Sequence, residues 1–171
     1  YVAKKYKTSA YTDLIKLISN VDALSIVAPT PYHFEIAKLC IDNKKHVFIE
    51  KPITVELEEA NTLIRLSRKN SVIIQVGHIE RLNPALIALE KYDIDPQFIE
   101  IQRLAPYTSR GSDVPVVLDK MIHDIDIVLS LVKSDVASVE ATGMSIITNS
   151  LDIAHARIKF KNNSVASLMS S

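Results

Sequence analysis

Two groups of residues in this chain have the types and spacing of proton-transfer chemistry. The first is Glu50-Lys51-Pro52, set directly after the apolar run His46-Val47-Phe48-Ile49. A lysine there stands where a parallel strand hands over to a loop, the usual place for chemistry in an open α/β sheet. Proline fixes the backbone beside it and Glu50 supplies a partner. An ammonium held near a reacting hydroxyl lowers the cost of forming an alkoxide, or relays the proton itself. The second group is Asp119 and His123, four residues apart in a helical pattern. That spacing brings both side chains onto one helical face. At ~100° per residue, Asp126 joins them on a strip roughly 60° wide. A carboxylate one turn from an imidazole orients it and stabilises its protonated form, which suits a general acid/base. The competing readings are plain: a strand-end lysine is ordinarily just solvated, and an amphipathic helix can carry a histidine on its polar flank.

Further polar residues fall beside these. Pro29 and Thr30, with His33, close the preceding strand and belong on the same sheet edge as Lys51. Gly77-His78 closes the next strand, and Arg81 and Asn83 could complete a pocket rim. His155 sits in an alternating strand and reads as structural.

The elements that must position these residues follow from the pattern. Ala23–Ala28 is a short apolar strand closed by Pro29-Thr30-Pro31, since two nearby prolines cannot continue a ladder. A helix follows, with Phe34, Ala37, Leu39, Cys40 and Ile41 as its apolar positions, ended by Asn43-Lys44-Lys45. After strand 46–50, Thr54 is expected to cap a helix with Leu57, Ala60, Leu63, Ile64 and Ser67 on one side. Ser71–Val76 reads as a third strand. Continuous apolar strands separated by helices indicate a parallel sheet covered on both faces. Beyond residue 80 the pattern changes. Asn83-Pro84 opens a helix through Tyr92, Phe98–Leu104 alternates as a strand, and a loop from Tyr107 to Pro115 leads to the Asp119 helix. That helix should face a core with Leu118, Met121, Ile122, Ile125, Val128, Leu129 and Val132. Val139–Ile147 and Ile153–Met169 read as antiparallel strands, the latter pair turning at Lys161-Asn162-Asn163-Ser164. The expected fold class is α/β over residues 1–80, followed by an α+β domain over 81–171 with a large, mostly antiparallel open sheet.

Composition narrows the function classes. Twenty basic and twenty acidic residues give no net field for nucleic acid or an anionic membrane. Cys40 is the one cysteine, so no internal disulfide forms, and a reducing cytoplasm is expected. No apolar run reaches the ~18 residues of a membrane span. No His/Cys cluster has metal-ligand spacing and no nucleophile elbow supports Ser/His/Asp catalysis. Gly77, Gly111 and Gly143 are the three glycines, so a Gly-x-Gly-x-x-Gly phosphate turn is not among these residues. The start at Tyr1 inside a helix-like stretch, and the stop at Ser171 directly after a strand pattern, lead us to expect a piece of a longer molecule.

Ala28-Pro29-Thr30-Pro31-Tyr32-His33, His46–Pro52, Gly77-His78 and Arg81-Leu82-Asn83-Pro84 resemble, in order and spacing, the glucose–fructose oxidoreductase / inositol dehydrogenase / rhizopine catabolism family (Gfo/Idh/MocA). The resemblance continues through Asp119 and His123 and covers nearly the whole chain. Arg103–Pro106 and Leu118–Asp126 are most similar to bacterial sugar-nucleotide members. It implies a partial Rossmann domain binding NAD or NADP, then a substrate domain, with hydride exchange between nicotinamide and a hydroxyl-bearing carbon of a sugar or sugar nucleotide. It further implies Lys51, Asp119 and His123 as catalytic residues. Pro29, Thr30, His33, Glu50, Lys51, Pro52, Gly77 and Arg81 would lie along the cofactor. A homo-oligomer through the outer face of the second sheet is the implied assembly. Two other readings stay open: a non-catalytic or truncated member acting as a binding module, and a different reduction, of a non-sugar ring, on the same scaffold.

Overall fold

A computed structural model describes residues 1–106 and 114–171, so most of the loop expected at Tyr107–Pro115 lies outside the described residues. The chain divides into two compact units, Tyr1–Gly77 and His78–Ser171.

The first unit opens with two short helices, α1 (Val2–Tyr6) and α2 (Leu14–Ser19). The Asp13 carboxylate caps α2, accepting from the Ile15 and Lys16 amides. Strands β1 (Ala23–Ile26), β2 (His46–Ile49) and β3 (Ile74–Val76) form a parallel sheet in the order β1-β2-β3. The register aligns Ile26 with Ile49 and Ile49 with Val76. Helices α3 (His33–Asp42) and α4 (Leu57–Asn70) make the crossovers. Their inward residues Ala37, Cys40, Ile41 and Leu63 are fully buried with Ile26, Val47 and Ile49. Burial pushes the Cys40 thiol up, which keeps it protonated and inert.

Three details depart from the sequence reading. The cap of α4 is Glu56, whose carboxylate and that of Glu59 form a reciprocal capping box. Thr54 is buried two residues before that cap, and its hydroxyl donates to the Glu56 carbonyl. Leu57 and Ile64 fall on the exposed side of α4, leaving Ala60 and Leu63 as its buried contacts. Strand β3 starts at Ile74 because Ser71, at φ 54°, ends α4 in the left-handed conformation.

The second unit begins with a 3₁₀ turn, Ile79–Leu82, and α5 (Pro84–Leu89), which stops before Tyr92. Asn83 caps α5 by accepting from the Ala85 amide, with Pro84 at the first helical position. Four strands follow: β4 (Phe98–Arg103), β5 (Val136–Met144), β6 (Ile153–Phe160) and β7 (Val165–Ser170), ordered β4-β7-β6-β5. The β5–β6 and β6–β7 pairs are antiparallel and β4–β7 is parallel. Asn163, at φ 70°, makes the β6–β7 turn where asparagine was expected to tolerate it. One face of the sheet packs Ala154, Ala156, Ile158, Phe160, Ala166 and Leu168 against the helical segment 116–132.

That segment is not one uniform α-helix. A π-turn, Val117–Met121, runs into α6 (Ile122–Leu131). The wider turn re-phases the apolar stripe, so Met121, Val128 and Val132 are buried while Leu129 is 48% exposed. The loop between β5 and β6 is organised by Asp152. Its carboxylate accepts from the amides of Ile146, Ile147 and Thr148 and from the Thr148 hydroxyl.

Two predictions follow from this packing. Leu168 is fully buried in β7, so Leu168→Ala should cost about 2–5 kcal/mol in urea unfolding. The donors from Thr148, Ile146 and Ile147 hold the Asp152 carboxyl well below the usual carboxylate range. Its stabilising effect is therefore present above the unfolded carboxylate range, near pH 4, and is lost as pH falls through the lower folded value. The gap in urea stability between wild type and Asp152→Asn should be constant above about pH 5 and shrink in acid below about pH 4.

Candidate active-site residues

Parallel strands deliver their carboxyl ends to one edge, and in the first unit this edge collects the chemistry-bearing residues. Pro29 and Thr30 follow β1, Glu50-Lys51-Pro52 follows β2, and Gly77 follows β3. The Glu50 amide donates to the Ile26 carbonyl and the Gly77 amide to that of Ile49, so pairing persists one residue past each strand. The Lys51–Pro52 peptide bond is cis. A Cβ at residue 77 would sit 3.0 Å from Glu50 Oε2 and 3.1 Å from Phe48 Cζ. Glycine is what lets the Glu50 carboxylate lie across the end of β3.

His33 opens α3 and is 1% exposed. Its Nδ1 lies 2.9 Å from the Pro52 carbonyl oxygen and its Nε2 2.7 Å from that of Ala28. Both ring nitrogens are occupied by main-chain carbonyls, so the ring serves the two loops from beneath and any influence on a ligand passes through them. Thr30 is also buried, within the 3₁₀ turn Thr30–Tyr32.

In the second unit, Asp119 lies in the π-turn and His123 at the start of α6. Both are half-buried. An i→i+5 turn is wider than an α turn, so the four-residue step between them stays close to one full turn. Asp126, three residues after His123, is held by Arg81. Its carboxylate takes a two-pronged contact from Arg81, Nε to Oδ2 and Nη2 to Oδ1, each 2.6 Å. This contact raises the Arg81 pKa and occupies the guanidinium. His78 Nδ1 is 4.0 Å from Asp126 Oδ1, too far to hydrogen-bond.

One pair escaped the sequence reading. Asp124 is 1% exposed and receives Arg103 through Nε at 3.0 Å and Nη2 at 2.7 Å. The Asp124 carboxylate raises the Arg103 pKa, and Glu80 at 3.9 Å adds to it. Both partners had a periodic signal. Asp124 falls three residues after Met121 and four before Val128, inside the apolar stripe. Arg103 continues the inward alternation Ile99, Ile101 of β4. A carboxylate in an apolar row and an arginine on the inward strand face call for each other.

An open parallel α/β unit with its polar loops gathered at the carboxyl edge has the architecture of the nucleotide-binding, doubly wound class. Residues 1–78 match the family model described as "Oxidoreductase family, NAD-binding Rossmann fold", GFO_IDH_MocA. The chain carries a domain of that family. Across 99% of its length it is 36% identical to UDP-N-acetylglucosamine 3-dehydrogenase of Acidithiobacillus ferrooxidans, of which it covers 55%. It is 32% identical to scyllo-inositol 2-dehydrogenase (NAD(+)) of Bacillus subtilis, over 72% of this chain and 39% of that protein. A solved structure of the A. ferrooxidans enzyme superposes on 99% of the chain with a TM-score of 0.93, covering 57% of that protein. The chain thus spans about half the length of the curated relatives it matches.

The Asp124–Arg103 pair gives a direct test. Asp124→Ala leaves the Arg103 guanidinium with Glu80 alone, at 3.9 Å, and should clearly destabilise the protein in urea unfolding. The double replacement Asp124→Leu with Arg103→Met should cost clearly less, because no charge is then left in the helix–sheet interface.

Proposed function

We propose that the whole protein is a cytoplasmic NAD- or NADP-dependent oxidoreductase that moves a hydride between nicotinamide and a hydroxyl-bearing carbon of a sugar or sugar nucleotide. The observation that carries this reading is the Glu50-Lys51-Pro52 segment on the carboxyl edge of a parallel sheet, in a domain of an NAD-binding family. The similarity to a sugar-nucleotide dehydrogenase and to an inositol dehydrogenase supports the substrate class. The donor set fits one flank of a nicotinamide cofactor. The loops after β1 and β2 lie side by side, with one ammonium, one carboxylate and main-chain polar groups. None of these 171 residues forms the Gly-rich phosphate turn, so no residue here is assigned to the pyrophosphate.

A bound nicotinamide supplies the hydride acceptor or donor. The proton is the business of the protein. His123 is the proposed base for the hydroxyl proton in the oxidative direction and the acid in reverse. Lys51 lowers the cost of the developing alkoxide through its positive charge, and Asp119 orients and supports the imidazole. Pro29, Thr30, Glu50, Pro52 and Gly77 shape the cofactor side, with His33 beneath them. Arg81 acts through Asp126, steadying α6. The exposed outer face of the second sheet, including Phe98, Glu100 and Arg157, is the proposed surface for a homo-oligomer. Among the described residues no helix is long and apolar enough to cross a membrane.

Turnover of NAD(P)⁺ with a panel of nucleotide sugars, free sugars and polyols tests the reading. Lys51→Ala and His123→Ala should each reduce kcat by roughly 10²–10⁴-fold while the protein still quenches or enhances NAD(P)H fluorescence. Intact turnover in both variants would remove the assigned roles.

A further inference from the structure

We propose that His33 is a positioning residue for Lys51: its ring spans the carbonyls of Ala28 and Pro52 and ties the Glu50-Lys51-Pro52 segment to the loop after β1. The inference rests on the reading of Lys51 as catalytic and adds to it the device that holds the lysine in place. Three sequence-distant pieces meet at this ring. Ala28 is two residues beyond β1, Pro52 directly follows Lys51, and His33 is the first residue of α3. Each carbonyl oxygen can only accept, so each ring nitrogen must donate for both contacts to be hydrogen bonds. A neutral imidazole donates through one nitrogen, whereas the doubly protonated ring donates through both. At 1% exposure no water replaces a missing bond.

The ring bridges the two loops through these contacts, and removing it breaks the bridge. Loss of the Nδ1 bond releases the Pro52 carbonyl, and loss of the Nε2 bond releases that of Ala28. Either way the backbone carrying Lys51 loses its tether to β1. Both contacts of the ring go to main-chain oxygens, not to carboxylates. Neither glutamine nor phenylalanine reproduces the ring's two separate nitrogens. Glutamine has both amide hydrogens on one nitrogen, and phenylalanine fills the space without a donor.

The test uses the full-length protein. In spectra of the uniformly ¹⁵N-labelled protein, the amides of Lys51 and Ile53 should shift in His33→Phe while those of β3 and α4 stay in place. His33→Phe should lower kcat, counted per cofactor-binding site so that unfolded molecules do not contribute, by about tenfold to a hundredfold. The substrate KM should change little, and His33→Gln should retain more activity than His33→Phe. Wild-type kcat in His33→Phe, or Lys51 and Ile53 amides that stay in place in that variant, would overturn the proposal. If the wild type turns over no sugar or sugar nucleotide, the functional reading fails. The amide shifts in His33→Phe then still decide whether the brace exists.

Discussion

Parallel pairing of three short strands is the constraint on which the N-terminal unit is built. Because β1, β2 and β3 run the same way in register, their carboxyl ends must emerge on one edge. Everything chemically distinctive in that unit is a consequence of what leaves this edge. Pro29 ends the first ladder, Lys51 stands past the second, and Gly77 gives way to the Glu50 carboxylate at the third. The crossover helices cover the sheet and determine where α3 begins. That start puts His33 between the first two loops. A strand order with one antiparallel member would scatter these residues over two edges.

The C-terminal unit solves a different problem with charge. Its π-turn and helix α6 must bury apolar residues against a sheet yet together carry three carboxylates and a histidine within eight residues, from Asp119 to Asp126. Asp124 and Asp126 lie on nearly opposite sides of the helix, and each has an arginine: Arg103 from β4 and Arg81 from the 3₁₀ turn. These forked contacts fix the helix in rotation. The π-turn before α6 sets the phase at which Asp119 and His123 leave the core. Lys120, in the same turn, donates to the Ser171 carbonyl beyond β7 and anchors that turn to the sheet.

Much of this was legible in the sequence. Apolar runs bounded by prolines, asparagines and glycine gave the three parallel strands and their crossovers. Alternation gave β4, β6 and β7, and the Asn162-Asn163 pair gave the turn between the last two. What escaped had local physical causes. Thr54 looks like a helix cap by residue type, but its hydroxyl is drawn to the Glu56 carbonyl, and two glutamates cap α4 in its place. Nothing in residue type marks a π-turn, so a regular 100° wheel carried through residues 117–121 misplaced the apolar stripe, and Leu129 is 48% exposed. His33 was legible as an edge residue. Its contacts were not, because they are made to main-chain oxygens 5 and 19 residues away.

The central claim is that the carboxyl edge carrying Lys51 receives the nicotinamide end of a dinucleotide cofactor. A crystal structure of the full-length protein with NAD⁺ or NADP⁺ bound tests this most directly. The account predicts density for the nicotinamide ring beside the Glu50-Lys51-Pro52 segment and the Pro29-Thr30 loop. A cofactor bound with its nicotinamide ring away from that edge, or no cofactor bound at saturating concentration, would contradict it.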